Sequence, residues 1–120
     1  MATILTADDT ATMRQMISFT LGSAGHEVVQ AVDGAEALRI AGTRKFDLII
    51  ADINMPNMDG ISLVKSLRTL PDYRFTPILI LTTESHDQKR QEGRGAGATG
   101  WIVKPFNPEQ LLTVVKKVLG

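Results

Sequence analysis

The sequence predicts an α/β domain built on a doubly wound parallel sheet of five strands in the order 2-1-3-4-5. Short apolar runs bounded by turn residues recur at Thr3–Ala7, Glu27–Ala31, Asp47–Ala51, Pro77–Thr82 and Thr99–Val103. The segments between them carry helical spacing, and strands alternating with helices form a parallel sheet covered on both faces. Two of the runs end in acid: the first in Asp8-Asp9, the third in Asp52.

The elements follow in order. After Ala2-Thr3-Ile4-Leu5-Thr6-Ala7, the first helix sets Met13, Met16, Ile17, Thr20, Leu21 and Ala24 on one stripe, with Gly25 placed to end it. His26 lies in the turn before the second strand and His86 at the start of the fourth helix; both are expected to be solvated. Asp33 and Glu36 have the spacing of a capping box at the second helix, which stops near Gly42. Asp47 is a polar residue opening the third strand, and Asp59 is placed to cap the third helix. That helix buries Ile61, Val64, Leu67 and Leu70, with Pro71 just beyond. The fourth, around Gln88-Lys89-Arg90-Gln91-Glu92-Gly93-Arg94-Gly95, has few apolar residues. Each interior glycine costs about 1 kcal/mol relative to alanine, so a thinly packed, mobile helix is expected. The last has Asn107 as N-cap, Pro108 at N1 and Gln110 at N3, then the stripe Leu111, Leu112, Val115, Val118, Leu119.

Composition excludes several classes. With 120 residues, one domain spanning 1–120 is expected, with no second one alongside. Lys plus Arg and Asp plus Glu are 13 each, so no basic field for nucleic acid exists. Absence of cysteine removes disulfides, thiolate catalysis and thiolate zinc sites. No export signal or membrane-length apolar run is present, so a cytoplasmic location away from membranes, and a monomer, are expected.

In an open doubly wound sheet, ligands bind beyond the carboxyl ends of the strands where the strand order reverses, here between the first and third strands. Asp8, Asp9 and Asp52 meet there. Free aspartates titrate near pH ~3.9, and two such charges about 5 Å apart repel by roughly 3 kcal/mol at an effective dielectric of about 20. Mg2+ relieves that repulsion and leaves room for a phosphate oxygen, so an ionised Asp52 can attack phosphorus in line. Thr82, ending the fourth run, and Lys104, following the fifth, can each reach a phosphoryl oxygen on Asp52. Any one of these aspartates taken singly reads as a turn or cap residue; the ordered set carries the chemistry.

In these residues the chain resembles the receiver domain of two-component response regulators, with its flavodoxin-like fold, and most closely the stand-alone, CheY-like chemotaxis regulators. The resemblance lies in Ile4-Leu5-Thr6-Ala7-Asp8-Asp9, Asp52-Ile53-Asn54-Met55-Pro56-Asn57-Met58-Asp59-Gly60, Leu81-Thr82-Thr83-Glu84 and Gly100-Trp101-Ile102-Val103-Lys104-Pro105-Phe106. Thr12-Met13-Arg14 points towards chemotaxis. The resemblance implies that Asp52 is the phosphoacceptor and that Asp8, Asp9, Asp52 and the Asn54 carbonyl hold Mg2+. It further implies that Thr82 and Lys104 sense the phosphoryl group, that Lys104–Pro105 is cis, and that Asn54 and Glu84 tune hydrolysis. Trp101 stands where a tyrosine or phenylalanine is usual; its larger indole, with Thr83 narrowing the same space, makes an inward switch costlier.

The implied partners are a CheA-like histidine kinase as donor, a flagellar motor switch protein or other protein target, and a phosphatase. Lys89, Arg90 and Arg94 would join the fifth strand and last helix as the target surface. Such a protein promotes its own phosphorylation and dephosphorylation without being an ordinary enzyme. The alternatives are a phosphorelay intermediate unconnected to the motor and a haloacid-dehalogenase-type phosphohydrolase. The latter needs an acid two residues after the nucleophile, where this chain has Asn54, and a cap domain. A flavin binder of this topology is opposed by Asp8-Asp9, which repel phosphate.

Overall fold

The computed structural model describes the backbone of residues 1–83 and 87–120, and side-chain burial for 1–83 and 91–120. Strands β1 (Thr3–Ala7), β2 (Glu27–Ala31), β3 (Leu48–Asp52), β4 (Ile78–Thr83) and β5 (Gly100–Lys104) alternate with helices. These are α1 (Ala11–Ser23), α2 (Gly34–Ala41), α3 (Gly60–Arg68), α4 (Asp87–Ala96) and α5 (Pro108–Leu119). A 3-10 turn, Pro71–Tyr73, precedes β4. All pairings are parallel, in the order β2-β1-β3-β4-β5, as the sequence predicts. Strands β3, β4 and β5 each start and end one residue later than expected, which makes Asp52 the last residue of β3 and Lys104 the last of β5.

Alternation along the strands divides the core. Ile4, Leu48, Ile50, Leu79, Leu81 and Ile102 pack under α1 and α5 against Ile17, Leu21, Leu111 and Val115. Leu5, Ile49, Ile78 and Ile80 face the other way, against Ala37, Leu63, Val64 and Leu67. Each such buried aliphatic side chain contributes about 1.5–3 kcal/mol, so the sheet is anchored on both faces. Met55 belongs to this second core, where it acts as packing.

Local chemistry sets the helix ends. Asn107 and Gln110 form the full reciprocal capping box expected of α5. At α2 the box is incomplete: Asp33 accepts from the Glu36 N–H at 2.8 Å, but Glu36 Oε1 accepts from Val32 rather than from the cap residue. Asp59 caps α3 by accepting from the Ser62 N–H at 2.7 Å. Helix α1 ends at Ser23, one residue short of the stripe's Ala24, which is its exposed C-cap, and Gly25 with φ 94° follows as the expected stop. Among the described side chains of α4, Gln91, Glu92, Arg94 and Gly95 are exposed and only Gly93 is buried, the thin packing expected. His26 is not simply solvated, because its Nδ1 accepts from the Ala2 N–H at 3.0 Å; His86 lies outside the described residues.

Two polar anchors, the buried Tyr73 and the half-buried Arg68, are not legible in the sequence. Tyr73 reaches the carbonyl oxygens of Ala41 and Arg44 at 2.8 and 2.7 Å, and burial pushes its hydroxyl pKa up. Arg68 donates to the carbonyls of Gly97, Tyr73 and Thr76, joining α3 to both ends of the next crossover. No helix among the described residues is long and apolar enough to cross a membrane.

Candidate functional site

The switch in strand order lies between β1 and β3, and the β1 and β3 termini deliver three carboxylates to one point. Asp8, Asp9 and Asp52 each offer an oxygen, and these lie within 4.8 Å of one another. Asp8 and Asp52 are buried, while Asp9 is exposed.

Each carboxylate is held differently. Asp8 Oδ1 accepts from both the N–H and the hydroxyl of Thr10 at 2.8 Å, an arrangement in which a short side chain turns the chain after a strand. Asp8 Oδ2 is buried and has no hydrogen-bond donor. The backbone carbonyl of Asp8 accepts from Arg14 Nη1 at 2.7 Å, which ties the end of β1 to α1. Thr10 is a support visible in the Asp-x-Thr spacing; Arg14 acts across a helical turn that no local pattern announces.

Lys104, at the end of β5, brings its Nζ to 2.9 Å from Asp52 Oδ2 and 3.9 Å from Asp8 Oδ2. Burial pushes the Asp52 carboxyl above its ordinary range and the Asp8 charge adds to this, while Lys104 and the Asn54 N–H pull it back. The bond after Lys104, to Pro105, is cis, as the resemblance implies.

Thr82 is buried near the end of β4, with its hydroxyl donating to the Thr83 carbonyl at 3.2 Å. In the ladder Thr82 pairs with Val103 and Ile80 with Trp101, so Trp101 lies one diagonal step from Thr82 on the same sheet face. The indole is half-buried, seated where a Cβ on Gly93 would come within 3.2 Å of it, with the Arg94 guanidinium 5.7 Å from the ring centre. Asn54 is exposed and lines, with Asp9, Met55, Pro56 and Asp59, an open cleft of about 540 Å3 beside the cluster. Glu84 lies outside the described residues, as do the side chains of Lys89 and Arg90.

An all-oxygen donor set with one buried carboxylate oxygen lacking a donor fits a hard divalent cation such as Mg2+. The Lys104 ammonium, 2.9 Å from the buried Asp52 carboxylate, offsets part of the repulsion that the Asp8 charge exerts on it.

Comparison with known proteins agrees with this geometry. The family model described as "Response regulator receiver domain" matches residues 4–116. A chemotaxis protein CheY homolog of Campylobacter jejuni is 39% identical over 120 residues, covering 98% of this chain and 92% of that protein. The transcriptional regulatory protein PrrA of Mycobacterium tuberculosis is 40% identical over 116 residues; the match covers 97% of this chain but 49% of that protein, about half its length. Among solved structures, the chemotaxis response regulator CheY4 of Vibrio cholerae is 54% identical with a TM-score of 0.95, covering 98% of each chain. The receiver domain of the sensor histidine kinase PA1611 from Pseudomonas aeruginosa, with a magnesium ion coordinated in its active-site cleft, is 28% identical with a TM-score of 0.92, covering 99% of this chain and 98% of that one. By fold, by the acidic cluster at the sheet's switch point and by these matches, this chain belongs to the response-regulator receiver domain family.

Proposed function

We propose that residues 1–120 work as a single phosphorylation-controlled signalling switch, accepting a phosphoryl group from a histidine kinase on Asp52. The observation that carries this reading is the meeting of three carboxylate oxygens within 4.8 Å, with the Lys104 ammonium 2.9 Å from Asp52. Asp8, Asp9, Asp52 and the Asn54 carbonyl would hold Mg2+. Bound there, the ion supplies positive charge that offsets the carboxylates and the phosphoryl oxygens during transfer.

Asp52 then attacks phosphorus in line: its carboxylate oxygen forms the new P–O bond as the P–N bond to the donor imidazole breaks, and the departing nitrogen takes up a proton. Lys104 moves its ion pair from the carboxylate to a phosphoryl oxygen. Thr82 gives up its bond to the Thr83 carbonyl and donates to another phosphoryl oxygen. Movement of Thr82 opens or closes the space one diagonal step away, where Trp101 sits. Full conversion of such a two-state switch from 1:99 to 99:1 requires about 5.5 kcal/mol of preference for the active state. Asn54 and Glu84 would tune the later hydrolysis of the acyl phosphate.

A protein target, of the flagellar motor switch class, is the expected reader of the β5 and α5 surface. The chemotaxis response regulator CheY4 of Vibrio cholerae, 54% identical to this chain, supports that choice. A single-domain phosphorelay role uses the same chemistry and differs only in the reader.

The test uses Trp101, the one tryptophan, as reporter. Its fluorescence is expected to respond to Mg2+ and again to beryllofluoride or a small phosphodonor, with the second response lost in Asp52→Asn. Phosphodonor labelling that persists in Asp52→Asn would overturn the assignment. Sustained Asp52-dependent turnover of an ordinary phosphomonoester would favour the hydrolase instead.

A further inference from the structure

The connection between β3 and α3 contains a conformation that needs outside support. Asn57 has φ 67°, and the Met58 N–H donates to the Pro56 carbonyl at 2.7 Å, closing a three-residue γ-turn around it. Turns of this kind, with positive φ at a non-glycine centre, are rare and strained, and persist only where neighbours over-determine them.

The support comes from the connection between β2 and α2. Asp33, buried to 8% exposure, divides its carboxylate: Oδ1 accepts from the Glu36 N–H at 2.8 Å and Oδ2 from Asn57 Nδ2 at 2.6 Å. Next to it, the Gly34 N–H donates to the Met58 carbonyl at 3.1 Å, and a Cβ at Gly34 would fall on that same oxygen. The other end of the segment is closed by the Gly60 N–H on the Ile53 carbonyl at 3.1 Å. Between these two clamps lies Asn54.

We propose that Asp33 and Asn57 are positioning residues for the metal site, holding the segment from Asn54 to Met58 so that the Asn54 carbonyl faces the cluster of Asp8, Asp9 and Asp52. The inference rests on the Mg2+ reading above and deepens it. Neither residue touches the carboxylate cluster; both act through the turn. Mg2+ accepts only a narrow octahedral arrangement of oxygens, so a small drift of one carbonyl weakens binding. Residues that orient a metal's ligands without touching the metal typically change affinity by about 10–100-fold when lost.

Two variants separate this role from helix capping. Asp33→Ser retains a side-chain oxygen for the Glu36 N–H, hence the α2 cap, and loses the bond to Asn57. Asn57→Gly retains the positive φ and loses the same bond from the other side. Both are expected to bind Mg2+ about tenfold more weakly, measured by titration calorimetry and by Trp101 fluorescence in the full chain. The double variant should fall no further than the weaker single one, and the exchange Asp33→Asn with Asn57→Asp should restore affinity by reversing donor and acceptor. Wild-type affinity in both single variants overturns the positioning role, whatever happens to their melting temperatures. If the wild type itself shows no Mg2+ response, the metal reading fails first and this proposal with it.

Discussion

Replacing Asp8 with asparagine separates the metal-free state of the site from the metal-bound one. Asparagine keeps an oxygen for the two Thr10 donors, now at 2.8 Å, and exchanges the unpartnered Oδ2 for an N–H donor. Losing the charge relieves repulsion from Asp52, worth about 3.5 kcal/mol at 4.8 Å and a dielectric near 20, and a smaller, solvent-screened repulsion from the exposed Asp9. It also forfeits attraction to Lys104 Nζ at 3.9 Å, about 4 kcal/mol on the same scale. These terms nearly cancel, leaving the desolvation cost of a carboxylate that is 1% exposed. Metal-free Asp8→Asn is therefore expected to be more stable than wild type by about 2 kcal/mol. For 120 residues the entropy of unfolding is about 0.25 kcal/mol per degree, so the melting temperature rises by about 8 °C. Saturating Mg2+, at about 100 times its Kd, should stabilise the wild type by about 2.7 kcal/mol, or about 11 °C, and the variant hardly at all. Thermal melts followed by circular dichroism, in chelator and in Mg2+, should thus reverse the order of the two proteins. A variant that melts below wild type in chelator, or that keeps the Mg2+ increment, would refute the electrostatic account.

Other perturbations test neighbouring parts of the argument. Arg68→Met keeps the aliphatic stem but strands the carbonyls of Gly97, Tyr73 and Thr76; a loss of about 3 kcal/mol is expected in urea unfolding, and an unchanged midpoint would show those contacts to be idle. A methyl at Gly60 would fall on the Asp52 carbonyl oxygen, so Gly60→Ala should displace the end of β3 and lower both stability and Mg2+ affinity, read by melting and calorimetry. Asp33 has its pKa lowered from 3.8, first by the Glu36 N–H and next by the Asn57 amide. Its stabilising contribution is then complete above the unfolded value and lost as pH falls through the lower folded one. The stability gap between wild type and Asp33→Ala should accordingly close on acidification in that window, and a gap independent of pH would remove Asp33 from the linkage.

Much of this molecule follows from local pattern. Strand runs such as Leu48-Ile49-Ile50-Ala51 are apolar throughout because both sheet faces are covered, and the Asn107-Pro108-x-Gln110 start of α5 needs nothing beyond adjacent residues. Even the convergence of Asp8, Asp9 and Asp52 was readable, because topology sends parallel strand ends to one edge. At Asp33 the contacts exceed what capping-box spacing implies. One carboxylate oxygen is engaged by Asn57, 24 residues away, and the Glu36 carboxylate turns to Val32.

By itself, then, the order of residues determined the sheet, its covering helices and the edge at which the acids gather, since each depends on periodicities of two or 3.6 and on a few topological rules. Only the tertiary structure decided which carboxylate oxygen is left without a donor, that Lys104 lies nearer Asp52 than Asp8, and that Gly93 makes room for the Trp101 ring. It alone decided, too, that Asp33 reaches across to Asn57. Those outcomes turn on angstrom-scale approach between side chains distant in sequence, where packing around both partners, rather than any pattern along the chain, selects the contact.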